Sequence, residues 1–441
     1  MKYRLIEVKL SGTKSIKKEI EIYFAKRNFD STFFDESLIK SIYGPNGCGK
    51  TAIVSAFSIY RTLLTSDFPF KMDNYEELLN NIINIETKRF SFCATFAILD
   101  GEVIYRMRHK LVVSKDELNQ FIISHESLHS LNSRLVETNA VFETENGELI
   151  TNRIKGVSTS FDPMVIKNNS FVKLIFNETI KRRSEKKSLK PNKNLLYVVL
   201  TKEFATKLFI VYGDKQDTHI GHFADWMFQN NYEFSKLSLN EYTSNKLKET
   251  IKTTPGVRCF DIIFSRDLED YKKQIKKMTS FIKLLKNNLV DIEVVDRPFE
   301  QVSFVNLWFV YDRCKVDFEF ESTGIKKLCL LYSAFLAAKK GGIVLIDEID
   351  SNIHDTFLVK LFEYFSSYSN SQIICTTHNV EIMSVIFGRS KAIDFLSNDN
   401  RVVSWIKTGR LSPSTLYLKG RIPFIPFNLD SSEFAEVFID D

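Results

Sequence analysis

The run Gly44-Pro45-Asn46-Gly47-Cys48-Gly49-Lys50-Thr51 carries the densest chemistry in the chain. It satisfies G-x-x-x-x-G-K-[ST] at every constrained position, the pattern of a loop that cradles phosphate. Glycines let the backbone N–H groups of Asn46, Gly47, Cys48 and Gly49 turn toward an anion, at the positive end of the following helix dipole. Lys50 would reach β- and γ-phosphates, and the Thr51 hydroxyl would ligate Mg²⁺. A chance glycine-rich turn would not also follow the strand-like Ile39-Lys40-Ser41-Ile42-Tyr43 and precede the helix-like Ala52-Ile53-Val54-Ser55-Ala56-Phe57. Cys48 fills an unconstrained position of the pattern, which fits a tolerated filler better than a redox centre.

Partners for such a loop stand far downstream. The apolar strand Gly341-Gly342-Ile343-Val344-Leu345-Ile346 ends in Asp347-Glu348. Charges are costly beside buried β-branched residues unless a metal or ligand needs them. Asp347 is therefore a second Mg²⁺ ligand, and Glu348 is placed to polarise an attacking water. The next apolar strand, Gln372-Ile373-Ile374-Cys375, ends in Thr376-Thr377-His378-Asn379, where His378 can sense the γ-phosphate. Upstream, Glu321-Ser322-Thr323-Gly324 opens a helix. Ser322 and Gly324 can form an anion site from a hydroxyl, main-chain N–H groups and the helix dipole, although an N-cap uses the same groups.

Elements that must position these residues can be read from periodicity. Lys2–Leu10 and Glu19–Phe24 alternate as strands around a polar turn, Ser11-Gly12-Thr13-Lys14-Ser15-Ile16. Arg89–Leu99 and Val103–Val113 flank Asp100-Gly101, and a second hairpin is expected at Asn146-Gly147. From about 165 to 300 helix-forming stretches dominate. Leu268–Leu289 repeats Tyr271, Ile275, Met278, Phe281, Ile282, Leu284, Leu285 and Leu289 at helical spacing, too briefly for a long coiled coil. Strands return at Val302–Val310 and Val316–Phe320, then alternate with helices, which implies a mainly parallel sheet covered on both faces. The expected domains are an N-terminal lobe over 1–160, a mainly helical insertion over 161–300 and a C-terminal lobe over 301–441.

Composition narrows the class. The chain has 441 residues, 44% hydrophobic and 26% charged, an ordinary globular profile with room for more than one domain. Its longest apolar runs are shorter than a membrane span, and Met1-Lys2-Tyr3-Arg4 leads straight into a strand without a leader-like segment, so a cytoplasmic protein is expected. The six cysteines form no C-x-x-C pair, which excludes a zinc ribbon or zinc hook. A net charge of +5 is too mild to name a nucleic-acid partner. The basic run Lys181-Arg182-Arg183-Ser184-Glu185-Lys186-Lys187-Ser188-Leu189-Lys190-Pro191-Asn192-Lys193 could meet a phosphate backbone. With no aromatic residue interleaved, a solvated loop is the better reading.

Taken in order, the phosphate loop, a long insertion, the serine-led helix, Asp347-Glu348 and His378 resemble an ABC-type ATPase head. In that class the serine touches nucleotide bound to the opposite protomer, which implies ATP and Mg²⁺ as ligands and a homodimer or larger ring joined through ATP-bound heads. Lys14, in Thr13-Lys14-Ser15-Ile16, resembles the phosphate-touching base of SMC- and RecF-like heads. His354, in Asp350-Ser351-Asn352-Ile353-His354, resembles the histidine of overcoming-lysogenisation-type ATPases, with Asp355 where that family has proline. The tail Tyr417-Leu418-Lys419-Gly420-Arg421-Ile422-Pro423-Phe424-Ile425-Pro426 resembles that of AbiLi-type abortive-infection ATPases, with Pro423 replacing a glycine. The resemblance implies an ATPase subunit of an anti-phage system that controls a separately encoded effector, such as a TOPRIM-type nuclease or other toxin. A DNA-processing ATPase of the recombination-mediator kind is the alternative.

Overall fold

The computed structural model describes residues 1–26, 28–72, 75–185, 192–212, 261–300, 302–389, 391–406 and 411–425. The middle of the basic run (186–191), Pro426 of the tail and residues 213–260 of the expected insertion lie outside these. The chain forms two compact units. One is Met1–Ile210 with Ala338–Ile349 and Leu358–Asp441, and the other is Val211–Ala337 with Asp350–Phe357.

The first unit holds an antiparallel sheet of β1 (Lys2–Ser11), β2 (Ile20–Tyr23), β4 (Arg89–Asp100), β5 (Val103–Lys115), β6 (Phe121–Leu131), β7 (Glu137–Glu145) and β8 (Glu148–Asn152). Its order is β2-β1-β4-β5-β6-β7-β8. Both expected hairpins form: Asp100 pairs with Val103, and Glu145 with Glu148. At the second, Asn146 and Gly147 have φ of 48° and 87°, the left-handed pair that a two-residue hairpin turn demands.

A second sheet consists of β3 (Leu38–Tyr43), β9 (Leu208–Val211), β14 (Ile343–Ile346), β15 (Gln372–Thr376), β16 (Ile393–Leu396) and β17 (Val402–Ser404), in the order β17-β16-β3-β15-β14-β9. β16, β3, β15 and β14 run parallel and are buried almost throughout, as strands covered on both faces are, with Lys40 and Asp394 as buried polar members of β3 and β16. The two sheets are joined by Gln372, whose side-chain amide both donates to Leu5 O (2.8 Å) and accepts from Leu5 N (2.9 Å). Helices Lys50–Thr65 and Lys193–Thr206 cover the antiparallel sheet. Tyr60 stacks on Phe92 with ring centroids 4.5 Å apart, and Phe204 stacks on Phe96 at 4.0 Å.

The second unit contains an antiparallel sheet of β10 (Asp261–Phe264), β11 (Leu289–Phe299), β12 (Val302–Tyr311) and β13 (Lys315–Asp317). β12 pairs with each of the other three. Its helix Leu268–Lys283 buries Tyr271, Ile275, Met278 and Ile282, as the spacing predicts. The periodic pattern outruns the helix. Leu284 and Leu285 are exposed beyond its end, and Leu289 starts β11. Among the described residues, no helix is long and apolar enough to cross a membrane.

Candidate functional site

The phosphate-loop pattern sits between β3 and the helix Lys50–Thr65. Gly47 and Gly49 have φ of 79° and 113°, which residues with a Cβ rarely adopt. Gly49 is the helix N-cap and brings no side-chain acceptor, so the first-turn N–H groups suit an anion. Lys50 is buried, and its ammonium donates to the loop's own carbonyls, Gly44 O at 2.8 Å and Pro45 O at 3.0 Å. A cation is thus held inside the loop where phosphate would lie. Asn46 and Gly47 form its exposed tip, and Thr51 is half-buried. Burial pushes the Cys48 thiol up from its ordinary value, which keeps it protonated at neutral pH, as suits a filler.

Neighbouring segments fix the loop's shape. A Cβ added to Gly49 would lie 3.0 Å from Ser15 Oγ and Ile16, so the turn carrying Lys14 abuts the loop. Lys14 is exposed at the tip of that turn with φ of 48°, and its carbonyl accepts from Asn84 Nδ2 at 2.5 Å. Asn400 touches both segments, donating to Cys48 O (3.5 Å) and accepting from Lys17 N (3.3 Å). Behind the loop, Tyr417 of the tail stacks on Phe395 at 5.4 Å and meets Tyr43 at 6.0 Å.

The acidic residues leave the same edge of the parallel sheet. Asp347 follows β14 and is 3% exposed, and Thr376 Oγ1 donates to its Oδ1 at 2.5 Å. Glu348 has φ of 44°, and its N–H donates to the same Thr376 hydroxyl at 2.8 Å. β15, which carries Thr376, lies between β14 and β3, and Thr377 N donates to Ile42 O at 3.2 Å. His378 is exposed just beyond β15. Its turn is held by Thr377 Oγ1, which accepts from Asn379 N (3.0 Å), and by Tyr43 OH, which donates to Asn379 O (3.1 Å). The structure therefore brings the loop, Lys14, Asp347, Glu348 and His378 into one unit. Thr51 and Asp347 offer a hydroxyl and a carboxylate, hard oxygens of the kind Mg²⁺ takes alongside water and phosphate.

Ser322 and Gly324 belong to the second unit. Ser322 caps the helix Thr323–Lys339, accepting from Ile325 N at 3.4 Å. A Cβ on Gly324 would lie 3.2 Å from Asn352 O, and Lys327 Nζ donates to Ser351 Oγ at 3.1 Å. The helix start and the segment Asp350–Phe357 thus pack as one body. His354 accepts from Thr356 N at 3.3 Å, in the first turn of the helix Asp355–Tyr368. Sequence reasoning missed Thr376 and Asn400. Thr376 stood inside a motif already singled out, whereas nothing local marks Asn400.

Residues 237–384 match a family model described as "AAA domain, putative AbiEii toxin, Type IV TA system". The matched segment includes Ser322, Asp347, Glu348 and His378. No curated protein matches the chain. Among solved structures, it is similar to the SMC head domain of Pyrococcus furiosus with an extended coiled coil, bound to the C-terminal domain of ScpA. That match has 14% identity, covers 91% of this chain and 96% of the other, and has a TM-score of 0.43. The SMC head domain of Thermotoga maritima matches with 12% identity, 92% and 100% coverage and a TM-score of 0.33.

Proposed function

We propose that this chain is an AAA-type ATPase of the SMC/RecF-like class that binds ATP with Mg²⁺, hydrolyses it, and assembles with further copies through the bound nucleotide. One observation carries the reading. The phosphate loop, Asp347-Glu348 and His378 leave three adjacent parallel strands, β3, β14 and β15, at their carboxyl ends. Ligands bind at that edge in open α/β sheets.

Lys50 and the loop N–H groups hold the phosphates, and Lys14 adds positive charge beside them. Thr51 and Asp347 hold Mg²⁺, which when bound neutralises charge on the phosphate oxygens. Glu348 orients the attacking water, and His378 senses the γ-phosphate. Ser322 and Gly324 serve nucleotide carried by a second copy, which makes each site composite. The assembled heads then control a separately encoded effector, a nuclease or toxin, in anti-phage defence. The toxin–antitoxin wording of the family description supports a paired-protein setting.

Phosphate release by wild type and Glu348→Gln tests the enzymatic core, and the variant is expected to lose about tenfold or more. Equal rates would overturn the hydrolytic role. Co-purification with the product of the neighbouring gene tests the effector, and a repair enzyme there would favour the DNA-processing alternative.

A further inference from the structure

We propose that Thr376 is a positioning residue for both carboxylates, tuning Mg²⁺ affinity through Asp347 and turnover through Glu348. The assignment rests on the ATPase reading above and extends it to a residue outside the phosphate loop and the acidic pair. Thr376 is the last residue of β15 and is 1% exposed. Its hydroxyl donates to Asp347 Oδ1 at 2.5 Å and accepts the Glu348 N–H at 2.8 Å. Its carbonyl accepts the Ile349 N–H at 3.1 Å. One residue thus holds three consecutive positions of the acidic turn.

A buried threonine needs only one acceptor, and a main-chain carbonyl commonly serves. Here the hydroxyl is spent wholly on the acidic pair. Its proton fixes the rotation of the Asp347 carboxylate. Its lone pair anchors the main chain at Glu348, whose φ of 44° is a left-handed conformation that persists only where the surroundings impose it. Hydrogen bonds from a neighbour to a metal-binding carboxylate set how well that carboxylate binds.

The test compares Thr376→Val, which keeps the β-branched shape and removes the hydroxyl, with Thr376→Ser, which keeps the hydroxyl. Both are assayed for kcat and KM in ATP hydrolysis, and for binding of a fluorescent ATP analogue with and without Mg²⁺. In Thr376→Val, kcat should fall about tenfold or more and the Mg²⁺ concentration for half-maximal binding should rise by a similar factor. Metal-free nucleotide affinity should stay within about twofold, and Thr376→Ser should recover most of both losses. If the valine variant does not fold, Thr376→Ala takes its place in the same titrations. A valine variant with wild-type kcat and wild-type Mg²⁺ midpoint overturns the proposal. So does a serine variant that fails as badly as valine with an equal drop in melting temperature. If wild type and Glu348→Gln turn over equally, the hydrolytic half of the assignment falls with the reading it rests on. The Mg²⁺ titration then still decides the role at Asp347.

Discussion

Asp394→Asn should destabilise the first unit far more at pH 7 than at pH 9.5, because it strands a buried ammonium. Lys40 on β3 lies with its Nζ 2.5 Å from Asp394 Oδ2 on β16, and the two side chains are 3% and 1% exposed. Ser404 donates to the other carboxylate oxygen at 2.7 Å. Burial pushes the Lys40 ammonium below its ordinary value, while the charge and hydrogen bond of Asp394 pull it back. Breaking such a pair from one side costs about 3–5 kcal/mol.

Lysine chemistry sets a ceiling on that cost. The amine can release its proton, at about 1.36 kcal/mol for each pH unit below its ordinary value near 10.4. The ceiling is therefore about 4.6 kcal/mol at pH 7 and about 1.2 kcal/mol at pH 9.5. In the variant the unfolded chain binds the Lys40 proton more tightly than the folded one, so stability rises with pH toward that ordinary value. Thermal melts of wild type and variant at both pH values measure it. A gap of about 3–4.6 kcal/mol at pH 7 corresponds to roughly 6–18 °C, narrowing to about 1 kcal/mol at pH 9.5. The double replacement Lys40→Met, Asp394→Leu should recover most of the loss, since apolar residues of similar volume often match a buried pair. A gap independent of pH, or one below about 1 kcal/mol at pH 7, would show that no uncompensated charge is being buried.

Three further outcomes follow. Lys50→Ala should lose ATP binding in a fluorescence titration, and retained affinity would remove the phosphate-loop assignment. Ser322→Arg should block ATP-driven assembly in light scattering while leaving nucleotide binding intact, and persisting assembly would end the composite-site reading. Burial, aided by Lys173 and Arg61, lowers the Lys202 ammonium to about 7. The penalty for burying this charge is full below that pH and relieved as pH rises toward about 10.4, where the unfolded chain also releases the proton. Lys202→Met should accordingly melt higher than wild type at pH 6.5–7, by a margin that shrinks toward about pH 10. A margin that grows with pH would contradict this.

What the sequence disclosed was local. The loop pattern, the turn at Asn146-Gly147 and the acidic end of β14 each depend on residues within one element or turn, so spacing alone was enough. The same motifs could not announce their supports. Asn400 reaches Cys48, and Asp394 neutralises Lys40, across more than 350 positions of chain. Thr376 stands 28 and 29 positions from the two acids it serves. The buried Glu126 on β6 lies 3.0 Å from His109 Nε2 and accepts from Ser170 Oγ and Phe171 N, both at 2.6 Å, across 44 and 45 positions of chain. Period also overreached at Leu284 and Leu285, which continue a helical repeat but lie past the helix end. Tyr417 is the reverse case. Its motif was legible as a family resemblance, and the stack on Phe395 with the tilted contact to Tyr43 gives it a physical purpose.

Two glycines of the loop are needed for different reasons, and this separates shape from strain. At Gly44 a Cβ would stand 2.4 Å from Leu396 O and 2.7 Å from Cys48 Sγ, so alanine must push β16 away or shift the loop. At Gly47 nothing lies within 4 Å of the added Cβ, but φ is 79°. Alanine there meets only the left-handed backbone cost of about 1–2 kcal/mol. Gly44→Ala should therefore weaken ATP binding and lower the melting temperature together, because the obstacle is a main-chain carbonyl of the neighbouring strand and cannot rotate aside. Gly47→Ala should cost about 1–2 kcal/mol in a melt, and its effect on binding should come through the N–H it redirects. Were Gly44→Ala to bind and melt like wild type, the approach of β16 to the loop would not be a constraint. The first glycine of the motif would then need another explanation. The expected pair of results ties the loop's form to β16, a strand about 350 residues further along the chain that no local pattern connects to it.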